Sequence, residues 1–484
     1  MKRFLGVPAL LFIFLGTAAA QTPYASNQGA QGASQAGPMY AQSADSGSSQ
    51  NPLLGGIPTG KPTGEVLPLT LSDAIKRGLS YNLGVMLSTQ AVQATRGARL
   101  LALSQLLPKV NAGFSESQQQ VNLAAYGFEP TPGMAMIVGP FNVFDVRASV
   151  SQPVLDFSAL NRYRASTENI KAAQFADQNT QDMVVFVCSN LYLQAVAGSS
   201  RIEAAQAQVR TAQTIYNLAL DQKAAGVAPG IEVLRAQVEL QAQQQRLIVV
   251  EDQFAKDKLA LARAIGLPLG QEFKLTDAMT YSPLPSMSLD ATVQRAYKER
   301  ADLQSAEARL RSAQSEKKAA KAGHLPTIDF NADYGDIGQK PWESHGTFSV
   351  AATVRIPIFL GRSVEGRMME SDAALHQREA ELEDLRGRIY YDVRNAFLDL
   401  KAAADRVNVA QSAVKLADEQ VLQTQDRFRA GVTNNVEVIQ AQEAQVTANE
   451  NYIASLQAHN AAKLALARAI GISSAAYEQF LRGE

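Results

Sequence analysis

The chain has 484 residues and a formal net charge of −1, and only one of its residues is a cysteine. A nearly neutral chain offers no electrostatic support for binding nucleic acid. The single cysteine, Cys188, excludes internal disulfides, so an exported form of the protein must be stable by other means. Its position inside an apolar segment favours a small buried residue over a reactive thiol.

The first 20 residues are typical of a secretory signal peptide. A basic start is followed by an apolar run, 4–15, and by three alanines that end at Ala20. We therefore expect residues 1–20 to be removed by cleavage. The apolar run is shorter than the roughly 20 residues that a membrane helix needs, and we expect no membrane helix in the rest of the chain.

Residues 21–66 are expected to form a disordered, low-complexity tail. Gln, Ser, Gly, Ala and Pro dominate this segment, and large apolar side chains are scarce. Such a composition cannot bury enough surface to offset the entropy that is lost on ordering. The folded part of the chain should therefore begin at about residue 67.

The rest of the chain is a tandem duplication. The stretch KAAGVAPGIEVLRAQ begins at Lys223, and the similar stretch FRAGVTNNVEVIQAQ begins at Phe428. The segment LALARAIG begins at Leu259 and returns at Leu464 with the same offset. A unit of this length is too long for a solenoid repeat. We infer two related units, 67–270 and 286–473, with a linker at 271–285 and a C-terminal tail at 474–484.

Each unit contains one very long helix. Between Ile202 and Ala219, larger and smaller apolar residues alternate at spacings of three and four, which is the seam of a coiled coil. The second unit repeats this seam from Val407. Proline and glycine are nearly absent from 158–225 and from 363–430, so we predict two helices of about 100 Å. The duplicated turns then reverse the chain, and a shorter helix returns.

Each unit also contains residues that alternate between polar and apolar, which predicts one β-hairpin at ~108–155 and another at ~326–357. The runs last about 8 to 10 residues, close to the length that crosses a bilayer as a tilted strand. The same alternation suits a soluble hairpin with one face on a core. If the strands do cross a membrane, four of them cannot close, so several chains must combine. Their polar faces would then line a lumen that contains Asp145, Arg147, Asp329, Asn331, Asp333 and Arg355.

The order of these features resembles the TolC-like outer-membrane efflux proteins. A helix, a Leu-Pro pair, an alternating hairpin, a proline, a long heptad helix, an Ala-Gly turn and an LARAIG ending occur twice behind a signal peptide. The resemblance covers about 67–473. It implies a mainly α fold with one β-hairpin per repeat, in a homotrimer whose 12-stranded β-barrel lies in the outer membrane of a Gram-negative-type bacterium. A long α-helical coiled-coil barrel would continue that barrel through the periplasm.

The resemblance also implies a function. The protein would be the passive exit duct of a tripartite efflux or type I secretion system, surrounded by outer-membrane lipid at its barrel. Its partners would be a periplasmic adaptor (membrane fusion) protein and an inner-membrane pump of the RND or ABC type. It would be a channel rather than an enzyme, with no cofactor and no metal site. A periplasmic adaptor or a soluble coiled-coil scaffold is the alternative, because either would also contain helical hairpins.

At the periplasmic end, the resemblance implies that the tips of the two helical hairpins bind the adaptor. Capping of the long helices by glycine explains the same turns without any partner. Only the resemblance therefore implies that these turns bind the adaptor as well as capping the helices. The candidate contact residues are Ala225, Gly226, Val227, Ala430, Gly431 and Val432.

Acidic residues just beyond the tips would surround a closed periplasmic aperture. Glu232 and Glu437 are in that place, although a Glu in a first helical turn also interacts favourably with the helix dipole. Glu437 could instead form a capping pair with Asn434. Two positions depart from the family: Gln440 stands where a second acidic residue occurs in the best-known members, and Thr433 stands where an arginine can occur. We therefore expect a less negative aperture with different locking contacts.

Overall fold

The structure of the chain is a computed structural model that describes residues 51–472, except 128, 130–132, 134 and 284–286. The expected signal peptide, most of the expected tail and the C-terminal tail lie outside the described residues. Within the described part, long helices run side by side and a four-stranded antiparallel sheet lies at one end of them.

The two units contain the same series of elements: two helices, a β-hairpin, a very long helix and a shorter returning helix. The first unit consists of β1 (Leu67–Leu69), α1 (Leu71–Tyr81), α2 (Leu83–Ser104), β2 (Lys109–Asn122), β3 (Ile137–Leu155), α3 (Phe157–Ala224) and α4 (Gly230–Ala264). A short strand, β4 (Phe273–Leu275), follows. The second unit consists of α5 (Leu289–Glu299), α6 (Ala301–Lys321), β5 (Thr327–Gly338), β6 (His345–Arg355), α7 (Ser363–Arg429) and α8 (Asn435–Ile470).

The long helices α3 and α7 have 68 and 67 residues. At a rise of 1.5 Å per residue, each is about 100 Å long. In the tip-proximal half of α3, the small residues of the heptad seam are buried, since Ala205, Ala212 and Ala219 are at most 4% exposed. Small residues let neighbouring helices approach closely, and α3 packs against α4 as α7 packs against α8.

Near the sheet, α6 packs against both α3 and α7. Three serine hydroxyls bond across the α3–α6 interface, each to a main-chain carbonyl, and we call this set the hydroxyl ladder. Successive rungs lie one heptad apart, and the serines of α6 are buried. The rungs are Ser305 Oγ to the Ala172 carbonyl (2.8 Å), Ser312 Oγ to the Ala165 carbonyl (3.1 Å) and Ser158 Oγ to the Ala319 carbonyl (3.0 Å).

The two hairpins join into one sheet with the strand order β2-β3-β5-β6. All three pairings are antiparallel, and β3–β5 pairing runs from Phe144 opposite Gly338 to Leu155 opposite Ile328. The sheet leaves the outer edges of β2 and β6 unpaired in a single chain. Open edges of this length are templates for pairing with another chain.

The middle of the long helices is surrounded by the remaining short elements. Strands β1 and β4 pair in parallel, and the hydroxyl of buried Tyr192 on α3 donates to the Leu69 carbonyl (3.0 Å) and to Asp277 (2.8 Å). Here α3 also carries Asp182, whose pKa is raised to about 6 by burial, with Asp302 nearby raising it further and Arg468 opposing this.

Residues 51–66 differ from the disordered tail that the composition suggested. The side chain of Asn82, which is fully buried, donates to the carbonyls of Leu53 (2.7 Å) and Ala264 (3.0 Å), so it ties this segment to the ends of α1 and α4. A Cβ on Gly56 would lie 2.5 Å from a carbonyl oxygen of α4. The segment is therefore held by backbone contacts with other elements, which composition does not reveal.

One described helix, α3, contains an 18-residue window with a mean hydropathy of 1.3, enough to cross a membrane by length and composition. We expected no such helix from the sequence. Half of the window is buried inside the chain, and Val184, Val185 and Cys188 in this region are fully buried. Packing in the core explains the apolar composition of this part of α3.

Candidate functional site

The register of the sheet places the predicted lumen residues on one face. Side chains that are directly opposite each other in a sheet point to the same side, and the side alternates with each residue. Asp333 is opposite Ser149, Asn331 is opposite Ser151, and Asp329 is opposite Pro153. By the same alternation, the six residues that share this face are Asp145, Arg147, Asp329, Asn331, Asp333 and Arg355.

Three of these six residues form a charge network centred on Arg147. Its guanidinium contacts Asp333 on β5, lies 3.4 Å from Asp145 on its own strand, and donates to Thr347 Oγ1 on β6 (3.1 Å). The neighbour opposite Arg147 on β5 is Gly335, where a Cβ would lie only 2.9 Å from the Arg147 Cβ. This glycine leaves room for the arginine to reach across β5 and join the two hairpins.

The opposite face of the sheet is apolar and uncovered in a single chain. Phe114 and Phe144 on this face meet edge to face with ring centroids 5.5 Å apart. An exposed apolar surface of this extent needs an apolar environment or a partner. Its exposed members include Val110, Phe114, Val146, Phe330, Tyr334, Phe348, Val350 and Val354.

At the other end of the long helices, both tips close with the same backbone turn. Gly226 and Gly431 have φ angles of +75° and +71°, in the left-handed region that favours glycine. Val227 N–H donates to the Gln222 carbonyl (2.9 Å), and Gly226 N–H donates to the Lys223 carbonyl (3.0 Å). These two bonds are a Schellman motif, and the second tip repeats them. Helix capping is therefore present at both turns.

The tips also expose apolar side chains. In a Schellman motif the residue after the glycine usually packs back onto the last helical turn. Here those residues, Val227 and Val432, are 74% and 69% exposed. The six candidate docking residues are exposed in the chain: Ala225, Gly226, Val227, Ala430, Gly431 and Val432.

Just behind the tips, side chains from all four helices of the two hairpins meet in a small hydrophobic cluster, which we call the tip cluster. Its largest member, Phe428, is 4% exposed. We did not identify Phe428 from the sequence. The signal was present, since Lys223 stands at the matching place in the first unit and cannot fill such a cluster. The members are Ile215 and Ala219 on α3, Val233 and Ala236 on α4, Phe428 on α7 and Val438 on α8.

The two predicted aperture glutamates have different surroundings. Glu232 is 8% exposed; its Oε1 accepts from Arg235 (2.8 Å), and its Oε2 is buried without a hydrogen-bond partner among the described residues. The main-chain carbonyl of Glu232 accepts weakly from the buried Asn435 side chain (3.5 Å). In a single chain, Glu232 therefore lies between the two hairpins rather than on an open surface, which differs from the expectation.

Glu437 is the exposed glutamate of the pair. Its side chain is 45% exposed and lies 3.5 Å from Arg427. The helix cap beside it is made by Asn434 alone, whose side chain accepts from Val436 N–H (3.1 Å). Of the other two aperture candidates, Gln440 is exposed and Thr433 is half-buried.

Comparisons with known proteins agree on the kind of molecule. A family model described as outer membrane efflux protein matches residues 76–267 and 292–472. The pyoverdine export outer membrane protein OpmQ of Pseudomonas putida is 24% identical over 82% of this chain and 84% of its own length. The proteases secretion protein PrtF of Dickeya chrysanthemi is 23% identical over 61% of this chain and 65% of its own length.

The fold is shared with solved channels. The Campylobacter jejuni CmeC outer membrane channel superimposes with a TM-score of 0.74 at 15% identity, covering 87% of this chain and 91% of that one. At this level of identity the likeness shows the fold alone.

Proposed function

The chain belongs to the outer membrane efflux protein family, and from this premise we propose that three copies of it form one continuous duct from the periplasm to the exterior. The family membership makes the protein an outer-membrane component of an export system. It also sets aside the adaptor and scaffold alternatives. The trimer, the barrel and the gate described below are our proposals.

One observation carries the proposal: the four-stranded sheet has an exposed apolar face, a polar face and two unpaired edges. A sheet in lipid must close, because its edge groups find no water there. Three copies would supply 12 strands, and pairing β2 of one chain with β6 of the next would remove every edge. The apolar face would then contact lipid, and the face that carries Arg147 would line the lumen.

The helices support the same assembly. Beyond the seams that are filled within one chain, α4 and α7 each carry a second row of uncovered apolar side chains. Rows of this kind are the contact surfaces of further coiled-coil neighbours. Exposed members are Leu234, Val238, Ile248 and Leu259 on α4, and Tyr391, Leu398, Val409 and Leu416 on α7.

The gate of the duct would be at the tips. The tip cluster holds the second helical hairpin against the first, and separating them would widen the periplasmic end. An adaptor that binds the exposed Val227 and Val432 more tightly in the separated arrangement would shift the population towards the open state. Glu437 would then contribute negative charge at the mouth, whereas Glu232 would act as a contact between hairpins.

The duct would conduct passively and would catalyse no reaction. Energy would come from an inner-membrane pump, to which a periplasmic adaptor connects the tips. The names of the relatives refer to unlike cargoes, pyoverdine in one case and proteases in another. We therefore assign selection of the cargo to the pump and leave the cargo out of the proposal.

The first experiment is to extract the protein from membranes with detergent, measure its oligomeric mass and record single-channel currents in a planar bilayer. We expect extraction only with detergent, a trimer, and small cation-preferring currents from a mostly closed tip. Extraction without detergent, or a trimer that never conducts, would overturn the proposal.

A further inference from the structure

The first hairpin extends beyond the four-stranded sheet. Pairing between β3 and β5 begins at Phe144, opposite Gly338, whereas pairing between β2 and β3 continues up to Ile137, opposite Asn122. The strand segments 117–122 and 137–143 therefore form a stem of only two strands. Two-stranded ribbons are marginal in water on their own, so the stem needs a surface to pack against.

The two faces of the stem are the reverse of the two faces of the sheet. In the sheet, the lumen face carries the Arg147 network and the outer face is apolar. Above Phe144, four of the six residues that continue the lumen face are apolar, namely Val121, Val138, Phe141 and Val143, and the other two are Ser117 and Gln119. The outer face carries Gln118, Asn122 and Asn142 above Phe144, with Glu116 opposite Phe144 itself and Ile137 as its apolar member.

The second hairpin changes one outer-face position lower, at the pair next to Phe144. Asp336 is opposite Val146 and so lies on the outer face, while Ile337 is opposite Asp145 and lies on the lumen face. A polar outer face fits water rather than lipid, so this level marks where the strands leave the membrane. The apolar inner face must then be covered by something other than lipid.

We propose that Val121, Val138, Phe141 and Val143 from three chains contact one another across the extracellular mouth and form an apolar constriction, the outer collar. The proposal rests on the trimeric duct of the preceding section. The occupant of this face is a copy of the same chain, because the face is continuous with the lumen face and a threefold axis brings three copies of it towards the same line.

The two strands of the stem contain a β-bulge, which suits this arrangement. The ladder between β2 and β3 is regular up to Gln119 opposite Phe141, and the register then shifts before Val121 pairs with Val138. A bulge of this kind bends a ribbon and increases its twist. The bend lies within the collar itself, between its lower residues and its upper residues.

An apolar collar above a charged lumen has a consequence for conduction. Narrow apolar constrictions impede ions because water leaves them readily. The collar would therefore add a second resistance, at the extracellular end, that is independent of the tips. Its residues would also be the ones that contact apolar parts of an exported molecule last.

The test is chemical bridging of neighbouring residues on opposite faces. Phe141→Cys places a thiol on the inner face of the stem, and the matched control Asn142→Cys places one on the outer face. The native Cys188 does not interfere, since it is fully buried and burial raises its thiol pKa to about 12. Each variant, purified as a trimer, is treated with a short bifunctional maleimide and run on a denaturing gel.

We expect Phe141→Cys to yield covalent dimers and trimers, and Asn142→Cys to react with a monofunctional maleimide without bridging. Equal bridging of the two variants, or a labelled Phe141→Cys trimer that never bridges, would overturn the collar. If Phe141→Cys does not assemble, Val143→Cys on the same face replaces it in the same comparison. A wild-type protein that is not a trimer would instead refute the proposed function, so the two failures are distinguishable.

A second readout is conductance. Phe141→Ser should raise the single-channel conductance at least twofold in a background whose tips have been loosened, whereas Asn142→Ser should leave it unchanged. An unchanged conductance in both would show that the collar does not constrict the mouth.

Discussion

The tip cluster makes a direct prediction about gating. Phe428 on α7 is nearly fully buried where the four tip helices meet, and Val233 and Val438 belong to the same cluster. Replacing Phe428 with alanine removes the largest side chain that holds the second hairpin against the first. The backbone of the Schellman turn, in which the Phe428 carbonyl accepts from Gly431 N–H, is not altered.

The expected magnitude follows from the burial. Truncating a buried phenylalanine to alanine costs about 3 to 5 kcal/mol when the surroundings cannot collapse. If separation of the hairpins exposes this side chain, most of that cost falls on the closed arrangement alone. A relative shift of about 3 kcal/mol changes the ratio of closed to open channels by roughly a hundredfold.

The assay is single-channel recording on purified trimers, with open probability as the readout. Val432→Ala is the matched control, because Val432 is an apolar residue of the same tip but is 69% exposed. Lys223→Ala tests the corresponding place in the first hairpin. Both controls should keep a low open probability, while Phe428→Ala should be open for a large fraction of the time.

A Phe428→Ala trimer with wild-type open probability would refute the reasoning. That result would mean that the hairpins stay together without the tip cluster, or that their separation is not the step that opens the duct.

Four further predictions follow from individual sites. Glu437→Ala should weaken the cation preference in reversal-potential measurements and Glu232→Ala should not, because only Glu437 is exposed. Gly431→Ala should destabilise the tip by about 1 to 2 kcal/mol, measured by hydrogen exchange, since its φ of +71° disfavours a side chain and no steric clash is added. The pKa of Asp182 is raised to about 6 in the folded state, so the folded chain holds this proton more tightly than the unfolded chain does. The wild type should therefore lose up to about 3 kcal/mol of stability per chain as the pH rises from about 4 to 6. Thermal unfolding of Asp182→Asn across the same pH range should not show this loss. Asn82→Ala should make the segment before α1 sensitive to protease, because two buried hydrogen bonds worth about 1 kcal/mol or more each are lost.

The long helices and the hairpins could be predicted because their signals are local. A heptad seam without proline predicts a helix wherever it occurs, and a period of two predicts a strand. The same alternation was enough to place Asp145, Arg147 and Asp333 on one face of the sheet. It could not show that Arg147 contacts Asp333 rather than Asp329, because the register between β3 and β5 joins segments that are far apart in the chain.

The unequal roles of matching residues were harder to predict. Glu232 and Glu437 occupy the same place in two similar turns, so a comparison of the turns treats them alike. The two hairpins nevertheless meet each other with different faces, and this buries Glu232 beside Asn435 while the side chain of Glu437 stays 45% exposed. Burial that arises between duplicated units depends on how the copies pack, which neither copy encodes by itself.

The hydroxyl ladder limits how the molecule can move. A buried serine that loses its carbonyl partner leaves both groups without water to replace the bond, at about 1 to 3 kcal/mol for each group. Sliding α6 along α3 would break all three rungs at once. The part of α3 near the sheet is therefore held in a fixed position along α6. Motion of the tips would then be a rotation about this region, because translation of α3 along α6 is opposed. A rotation of this kind would let the tips change position while the three bonds between α3 and α6 stay intact.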